Sequence, residues 1–311
     1  MESRITLNFG NTHQINPKIY GHFIEELGDC IHNGIWAYNE DLKALQMLEE
    51  KGPNSQLHCV RKDVFTAIKN LCGEKDGKRA KRTILRWPGG CFSDTYHWKD
   101  GIGPRNARPV RKNDHWNSFV FKLIPKQFGE FGPDYNNQFG TVEFLSLCER
   151  LGIEPYISVN FGSGSPQEAA DWVEFTNGPP TTAWGKERAK IRETPFKVKY
   201  WGIANEIWAR WEKGHTRTYD KYAEKYMKFA KEMRKKDPNI KLIACGVGPR
   251  EKGPLFAKDI TKWNRNFLAK TKGFVDFLSC HLYMPGNNLL MVLTKSLKRF
   301  QNEKVYYAMM A

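Results

Sequence analysis

The sequence is poor in the features that would place it at a membrane, in an oxidising compartment or around a metal. No apolar run approaches the roughly 20 residues that cross a bilayer, and the mean hydropathy is −0.62, which argues against a membrane span. The opening segment MESRITLNFG has no apolar stretch behind a basic region, so no secretory signal is visible and cytoplasm is the default location. The seven cysteines, Cys30, Cys59, Cys72, Cys91, Cys148, Cys245 and Cys280, are scattered, odd in number and free of any CxxC pair. Neither a disulfide framework nor a zinc site fits that spacing, so they read as reduced thiols. There is no HExxH and no run of His, Cys or Asp at metal spacing, so no metal and no cofactor are expected. The segments GVGPRE and GSGSPQ lack the full spacing of a dinucleotide loop and the lysine of a phosphate loop.

What the chain has is enough apolar material for a large core: 311 residues, 40% hydrophobic and 13% aromatic. A net charge of +15 raises nucleic acid as a partner, because clustered lysine and arginine neutralise phosphates. The distribution points elsewhere. In KYAEKYMKFAKEMRKKDP the residues Tyr222, Tyr226, Phe229, Ala230 and Met233 share one helical face and the charges take the other. That is a solvated helix surface, and no nucleic acid is expected.

Strand-like and helical runs alternate. The strands are IYGHFIEEL, TILRW, EPYISVNF, KVKYWGIAN, IKLIACGVG and FVDFLSCHLY. Helices are expected over Val64–Cys72, closing at Gly73, over Val142–Leu151, closing at Gly152, and around Tyr222. In SPQE, Ser165 caps, Pro166 takes the first helical position and Glu168 completes a capping box ahead of AADWVEFTNG. A long irregular stretch runs from Pro88 to about Phe139, as working loops do. Apolar strands alternating with helices imply a parallel sheet buried on both faces. Six strands suit a doubly wound sheet, or a (β/α)8 barrel lacking two strands.

Barrels place chemistry at the C-terminal ends of their strands, and these ends are polar: His22 and Glu25, Arg86, Asn160, Asn205 and Glu206, then His281 and Tyr283. Glu206 is either a helix-start carboxylate favoured by the macrodipole or an acid that protonates a leaving oxygen, with Asn205 holding a sugar hydroxyl. Trp208 and Trp211 flank it, as a platform for a sugar ring or as packing, which is expected for one of them. His281 and Tyr283 face one side of their strand, in a structural role or a site. Arg86, before WPGG, reaches a carboxylate, in a site or in a structural ion pair.

Taken together, IYGHFIEELGDCIHNGIW, RWPGGCFSDTYHWKDGIGPR, WGIANEIW and SCHLY closely resemble the α-L-arabinofuranosidases of glycoside hydrolase family 51, from about Ile15 onward. The resemblance implies a (β/α)8 barrel followed by a β-sandwich, and retaining hydrolysis of terminal arabinofuranosyl groups of arabinan, arabinoxylan or oligosaccharides. It makes Glu206 the acid/base, Asn205 its sugar-binding companion and Glu25 a holder of arabinose hydroxyls. It makes Arg86 the brace of the nucleophile, and places His281 and Tyr283 in the arabinose subsite. Cys91 stands where many members have asparagine, so a direct sugar hydrogen bond there is lost or made by a neighbour. The resemblance also implies a homo-oligomer for the full-length form.

Residues 1–14 are expected to form an N-terminal strand and residues 15–311 a catalytic barrel with about six of eight strands and no sandwich. Retention needs two carboxyl groups about 5 Å apart, and the family's nucleophile lies in a DEWN-like stretch on strand seven. The chain ends in NEKVYYAMMA, and Glu303 in its charged turn is a poor substitute. Two alternatives accompany the hydrolase: a sugar-binding pseudoenzyme, and an endo-glucanase sharing the Asn-Glu pair. The isolated 311-residue chain is expected to release no arabinose from aryl arabinofuranosides; robust turnover with retention would show that the nucleophile has been misplaced.

Overall fold

The computed structural model describes residues 16–37, 47–48, 56–72, 83–115, 134–248 and 262–281. Six strands form one sheet: β1 (His22–Phe23), β2 (Ile84–Trp87), β3 (Glu154–Val159), β4 (Tyr200–Ile203), β5 (Lys241–Cys245) and β6 (Phe277–Ser279). Each pairs in parallel with the next, and the strands lie in chain order from one edge to the other. A doubly wound sheet reverses its winding at a switch point, which puts an early strand in the middle. Unbroken chain order, with crossovers that are right-handed as a rule, winds in one direction only. The sheet is an incomplete (β/α)8 barrel. The expected residues 1–14 strand lies outside the described residues.

The described helices are α1 (Lys62–Leu71), α2 (Thr141–Leu151), α3 (Pro166–Asn177), α4 (Ala183–Ala189), α5 (Tyr219–Lys236) and α6 (Trp263–Lys270). Gly152 ends α2 at φ 70°, a left-handed cap that a residue without a Cβ adopts at no cost. The Gly73 stop expected for α1 lies outside the described residues. At the start of α3 the Ser165 hydroxyl accepts from the Glu168 N–H at 3.1 Å, but the second half of the capping box is diverted. The Glu168 carboxylate contacts His97 Nδ1 at 2.9 Å instead, tying the helix to the loop after β2. The reciprocal arm is used at α2, where Glu143 accepts from the Gly140 N–H at 2.9 Å. Glu143 also receives Arg108 at 3.0 and 3.1 Å and Arg105 at 3.0 Å. A buried carboxylate is tolerable only when so fully paired.

Period-two alternation sorts each strand into two faces. Leu85, Trp87, Ile157, Val159, Trp201, Ile203, Leu242 and Ala244 join the main core under the helices. The opposite face carries a second cluster, Tyr156, Tyr200 and Ile243 with Ile84 and Phe277, which fills the barrel interior. Gly202 is required there, since a Cβ would stand 2.6 Å from the Tyr156 hydroxyl. The expected apolar face of α5 is buried in full, from Tyr222 to Met233. The Tyr222 hydroxyl donates to the Ile203 carbonyl at 2.9 Å and accepts from the Cys245 N–H at 2.7 Å, pinning the helix to two strand ends. Outside, Trp98 stacks on Trp172 with ring centroids 5.8 Å apart and 8° between planes.

Cys91–Thr95 forms a 3-10 turn directly after β2. Its Asp94 is wholly buried and Oδ1 accepts from the Phe161 N–H at 3.2 Å, joining the loops after β2 and β3. Burial pushes this carboxyl up to about 7, against about 4 in an unfolded chain. The folded protein therefore keeps a proton that the unfolded chain gives up. Stability from this group is full below about pH 4 and is lost as pH rises through 7. Asp94→Asn keeps the size and the acceptor, so it is expected to match the parent in urea denaturation at about pH 4 and to gain on it progressively as pH rises from about 4 to 7. It should exceed the parent at pH 8–9, with on the order of 4 kcal/mol as the ceiling. An identical pH dependence in the two proteins would show that Asp94 is ionised in the fold.

Candidate active site

Arg86 lies on the interior face of β2, two residues beyond Ile84, with its guanidinium 5.6 Å from the centre of the Tyr156 ring. Its Nε donates to the Ser158 hydroxyl of β3 at 2.8 Å, and its Nη2 donates to Asn205 Oδ1 at 2.9 Å. Three neighbouring strands thus converge on one buried cation. Asn205 follows β4 between two residues in left-handed backbone, Ala204 at φ 81° and Glu206 at φ 40°. Such conformations cost about 1–3 kcal/mol each in residues other than glycine, and they persist where the surrounding structure imposes them. Here they turn two consecutive side chains, Asn205 and Glu206, into the mouth of the barrel.

Glu206 is 3% exposed. Its Oε1 lies 2.7 Å from Nδ1 of His281, just beyond β6, so a protonated Nδ1 donates to the carboxylate. Glu25, after β1, is also buried, and its Oε1 accepts from the Phe92 N–H at 3.1 Å. Its close approach depends on Gly89, at φ 134°, where a Cβ would stand 2.3 Å from Glu25 Cγ. Gly90 extends the same opening, with Glu25 Oε2 at 3.1 Å and Asn205 Oδ1 at 3.4 Å from the position of a Cβ. The glycines of RWPGG therefore let two polar side chains from β1 and β4 meet across the loop after β2.

The fold brings together Glu25, Arg86, Asn205, Glu206 and His281 from the strand ends, and Cys91 from the turn after β2. It separates the two tryptophans. Trp208 is buried and donates its indole N–H to the Gly246 carbonyl at 3.0 Å, so it packs the barrel top. Trp211 is 39% exposed. Tyr283 lies outside the described residues. Asn160 turns back on its own loop, accepting from the N–H groups of Ser163 and Gly164 at 3.0 and 2.9 Å. His22 is exposed at the edge strand.

Sequence reasoning misses Ser158 and Glu212. Ser158 sits in an apolar strand, and only the inward register reveals it. Glu212 lies in the loop after β4, where its charge suggests a surface residue. It is in fact 3% exposed, with Oε1 accepting from Cys91 Sγ at 2.8 Å, and the Asn205 amide approaches the same sulfur at 3.7 Å. Burial, with Asp94, Glu206 and Glu25 nearby, holds the Glu212 carboxyl well above the usual carboxylate range. The fold also brings together three residues that lie far apart in the chain: the ligating atoms of Cys91, His115 and Glu212 all lie within 4.8 Å of one another.

A buried carboxyl with an imidazole at one oxygen, beside an amide held by an arginine, is equipped to move a proton at a glycosidic oxygen and to hold sugar hydroxyls. The comparisons agree with that chemistry. The Alpha-L-arabinofuranosidase 1 domain family matches residues 78–284. Alpha-L-arabinofuranosidase C of Emericella nidulans is 36% identical over 297 residues, covering 91% of this chain and 50% of that protein. The intracellular exo-alpha-L-arabinofuranosidase of Bacteroides ovatus is 36% identical over 285 residues, covering 90% and 46%. The Thermotoga maritima α-L-arabinofuranosidase in complex with arabinose superposes with a TM-score of 0.71 at 35% identity, over 92% of this chain and 51% of that one. The chain therefore spans about half the length of these relatives. Since the family match runs through the strands that present Arg86, Asn205, Glu206 and His281, the chain belongs to the α-L-arabinofuranosidases of glycoside hydrolase family 51.

Proposed function

We propose that Glu206 is the acid/base of a retaining α-L-arabinofuranosidase that removes terminal arabinofuranosyl groups from arabinan, arabinoxylan or oligosaccharides. The observation that carries it is the buried 2.7 Å contact between Glu206 and His281, at the open end of a parallel barrel. In a retaining reaction this carboxyl first protonates the departing glycosidic oxygen as the nucleophile attacks the anomeric carbon. It then takes a proton from the water that hydrolyses the glycosyl-enzyme. Asn205, with its carbonyl held by Arg86, keeps its amide N–H groups for the sugar and the neighbouring Cys91 sulfur. Glu25, closed in by Gly89 and Phe92, accepts from arabinose hydroxyls. Trp211 offers an exposed ring to the aglycone.

The second carboxylate is proposed to come from the part of the relatives' length that this chain does not span, because the two other carboxylates at the barrel mouth each have one oxygen already engaged. Glu25 is held by Phe92, and Glu212 by Cys91. The nearby Arg86 guanidinium would then brace that nucleophile as well as Asn205. His281 and Tyr283 complete the arabinose subsite, and residues 15–311 form the catalytic domain. Among the described residues no helix is long and apolar enough to cross a membrane. The word intracellular in the name of the Bacteroides ovatus protein supports a cytoplasmic location, and the full-length form is proposed to be a homo-oligomer.

The assignment of Glu206 is tested in a polypeptide that supplies the nucleophile. Glu206→Gln is expected to lower kcat/KM on natural arabinosides by about 10²–10⁴-fold. Substrates whose leaving group needs no proton should lose far less, and azide should restore turnover with a glycosyl azide of retained configuration. Equal losses on both substrate types, without azide rescue, would assign the acid/base to another residue.

A further inference from the structure

Beside the sugar site, and sharing Cys91 with it, lies a cluster whose other members, His115 and Glu212, have no part in the glycosidase chemistry proposed above. Cys91 comes from the turn after β2, His115 from the end of the first described part of the long loop, and Glu212 from the loop after β4. Their ligating atoms all lie within 4.8 Å of one another. His115 and Glu212 are 1% and 3% exposed. One Glu212 oxygen meets Cys91 Sγ, while the other, Oε2, is buried with no hydrogen-bond partner. Leaving a buried carboxyl oxygen unsatisfied is costly, and a bound water or ion is one way in which folded proteins satisfy such an atom.

We propose that Cys91, His115 and Glu212 form a binding site for one divalent ion of the zinc class. One sulfur, one imidazole nitrogen and one carboxylate oxygen are the donor types that zinc accepts together, in a tetrahedron whose fourth position stays open. Ligand atoms around such an ion stand roughly 3.3–3.6 Å apart. The present cluster needs only a small opening between Cys91 and Glu212 and a small closing elsewhere. The surroundings favour a cation, since Glu25 and Glu206 add negative charge near the Cys91 thiol. Hard ions such as magnesium and calcium prefer oxygen sets and are poorly served here.

Binding proceeds as an exchange of protons for metal: the Cys91 thiol and any protonated Glu212 release their protons to solvent, and both become anionic ligands. No redox change is involved. Because the Asn205 amide approaches the Cys91 sulfur, the ion and the sugar share a neighbour.

The test uses the purified chain, stripped with chelator and dialysed against zinc or cadmium. One ion per chain is expected, with the ultraviolet thiolate-to-cadmium charge-transfer band and a raised melting temperature. Cys91→Ser, His115→Ala and Glu212→Gln should each weaken binding beyond the 10–100-fold that loss of an outer contact causes. Should a variant fail to fold, the parent protein still decides the matter. Zinc must shield Cys91 from iodoacetamide, read by peptide mass spectrometry, while the exposed Cys30 continues to react. Absence of stoichiometric binding, binding that survives Cys91→Ser, or alkylation of Cys91 unchanged by zinc would each overturn the proposal. None of these readouts depends on glycosidase activity.

Discussion

The Arg86 guanidinium is the contact on which the geometry of the barrel mouth depends. A buried cation must find acceptors for its donors or forfeit its solvation, and this one finds them on Ser158 and Asn205 while lying over Tyr156. Below it the interior is aromatic, with Tyr156 and Tyr200 side by side in register; beyond it the strand ends are polar. Arg86 is the boundary between the two. By holding Asn205 it also holds the backbone turn in which Ala204 and Glu206 take up left-handed conformations. Glu206 is thus placed by β2 as much as by β4, and His281 from beyond β6 meets its carboxylate at 2.7 Å.

A second constraint is how little room the loop after β2 has. Gly89 and Gly90 allow Glu25 and Asn205 to approach, and Asp94 fastens the following turn to the loop after β3. Gly162 and Gly214 lie so near Asp94 that a Cβ on either would stand 2.3 or 2.4 Å from it. The loops that line the pocket are therefore cross-linked through buried polar atoms, at the cost of burying a carboxyl group. Tyr222 does the same from outside by bonding the ends of β4 and β5. Preorganisation of this kind is what proton transfer at a fixed point in space demands.

Much of this was legible in the chain itself. The apolar runs find the strands because a sheet covered on both sides must be apolar almost throughout, and the polar interruptions at their ends find Asn205, Glu206 and His281. Ser165 and Gly152 declare helix ends because their physics is local. Contacts between distant segments are another matter. Nothing near Glu168 says that its carboxylate prefers His97 to its own helix start, and nothing near Glu212 says that it will be buried against Cys91. Trp208 and Trp211 look equivalent in sequence, yet one is sealed under Gly246 and the other is partly exposed. Chain order within the sheet, which separates barrel from doubly wound sheet, is likewise a property of pairing and not of any one segment.

The parallel stack of Trp98 on Trp172 joins the loop after β2 to helix α3, the same two segments joined by His97 and Glu168. Two indoles so close and so nearly coplanar share their excited states. Their transition dipoles couple with one another and with those of Trp184, Trp87 and Trp201, whose rings lie 5.0, 5.8 and 6.0 Å from one or other of the pair. The protein thereby carries an intrinsic optical gauge of whether the loop after β2 is seated on helix α3, readable without a label and sensitive to a displacement of a few ångströms.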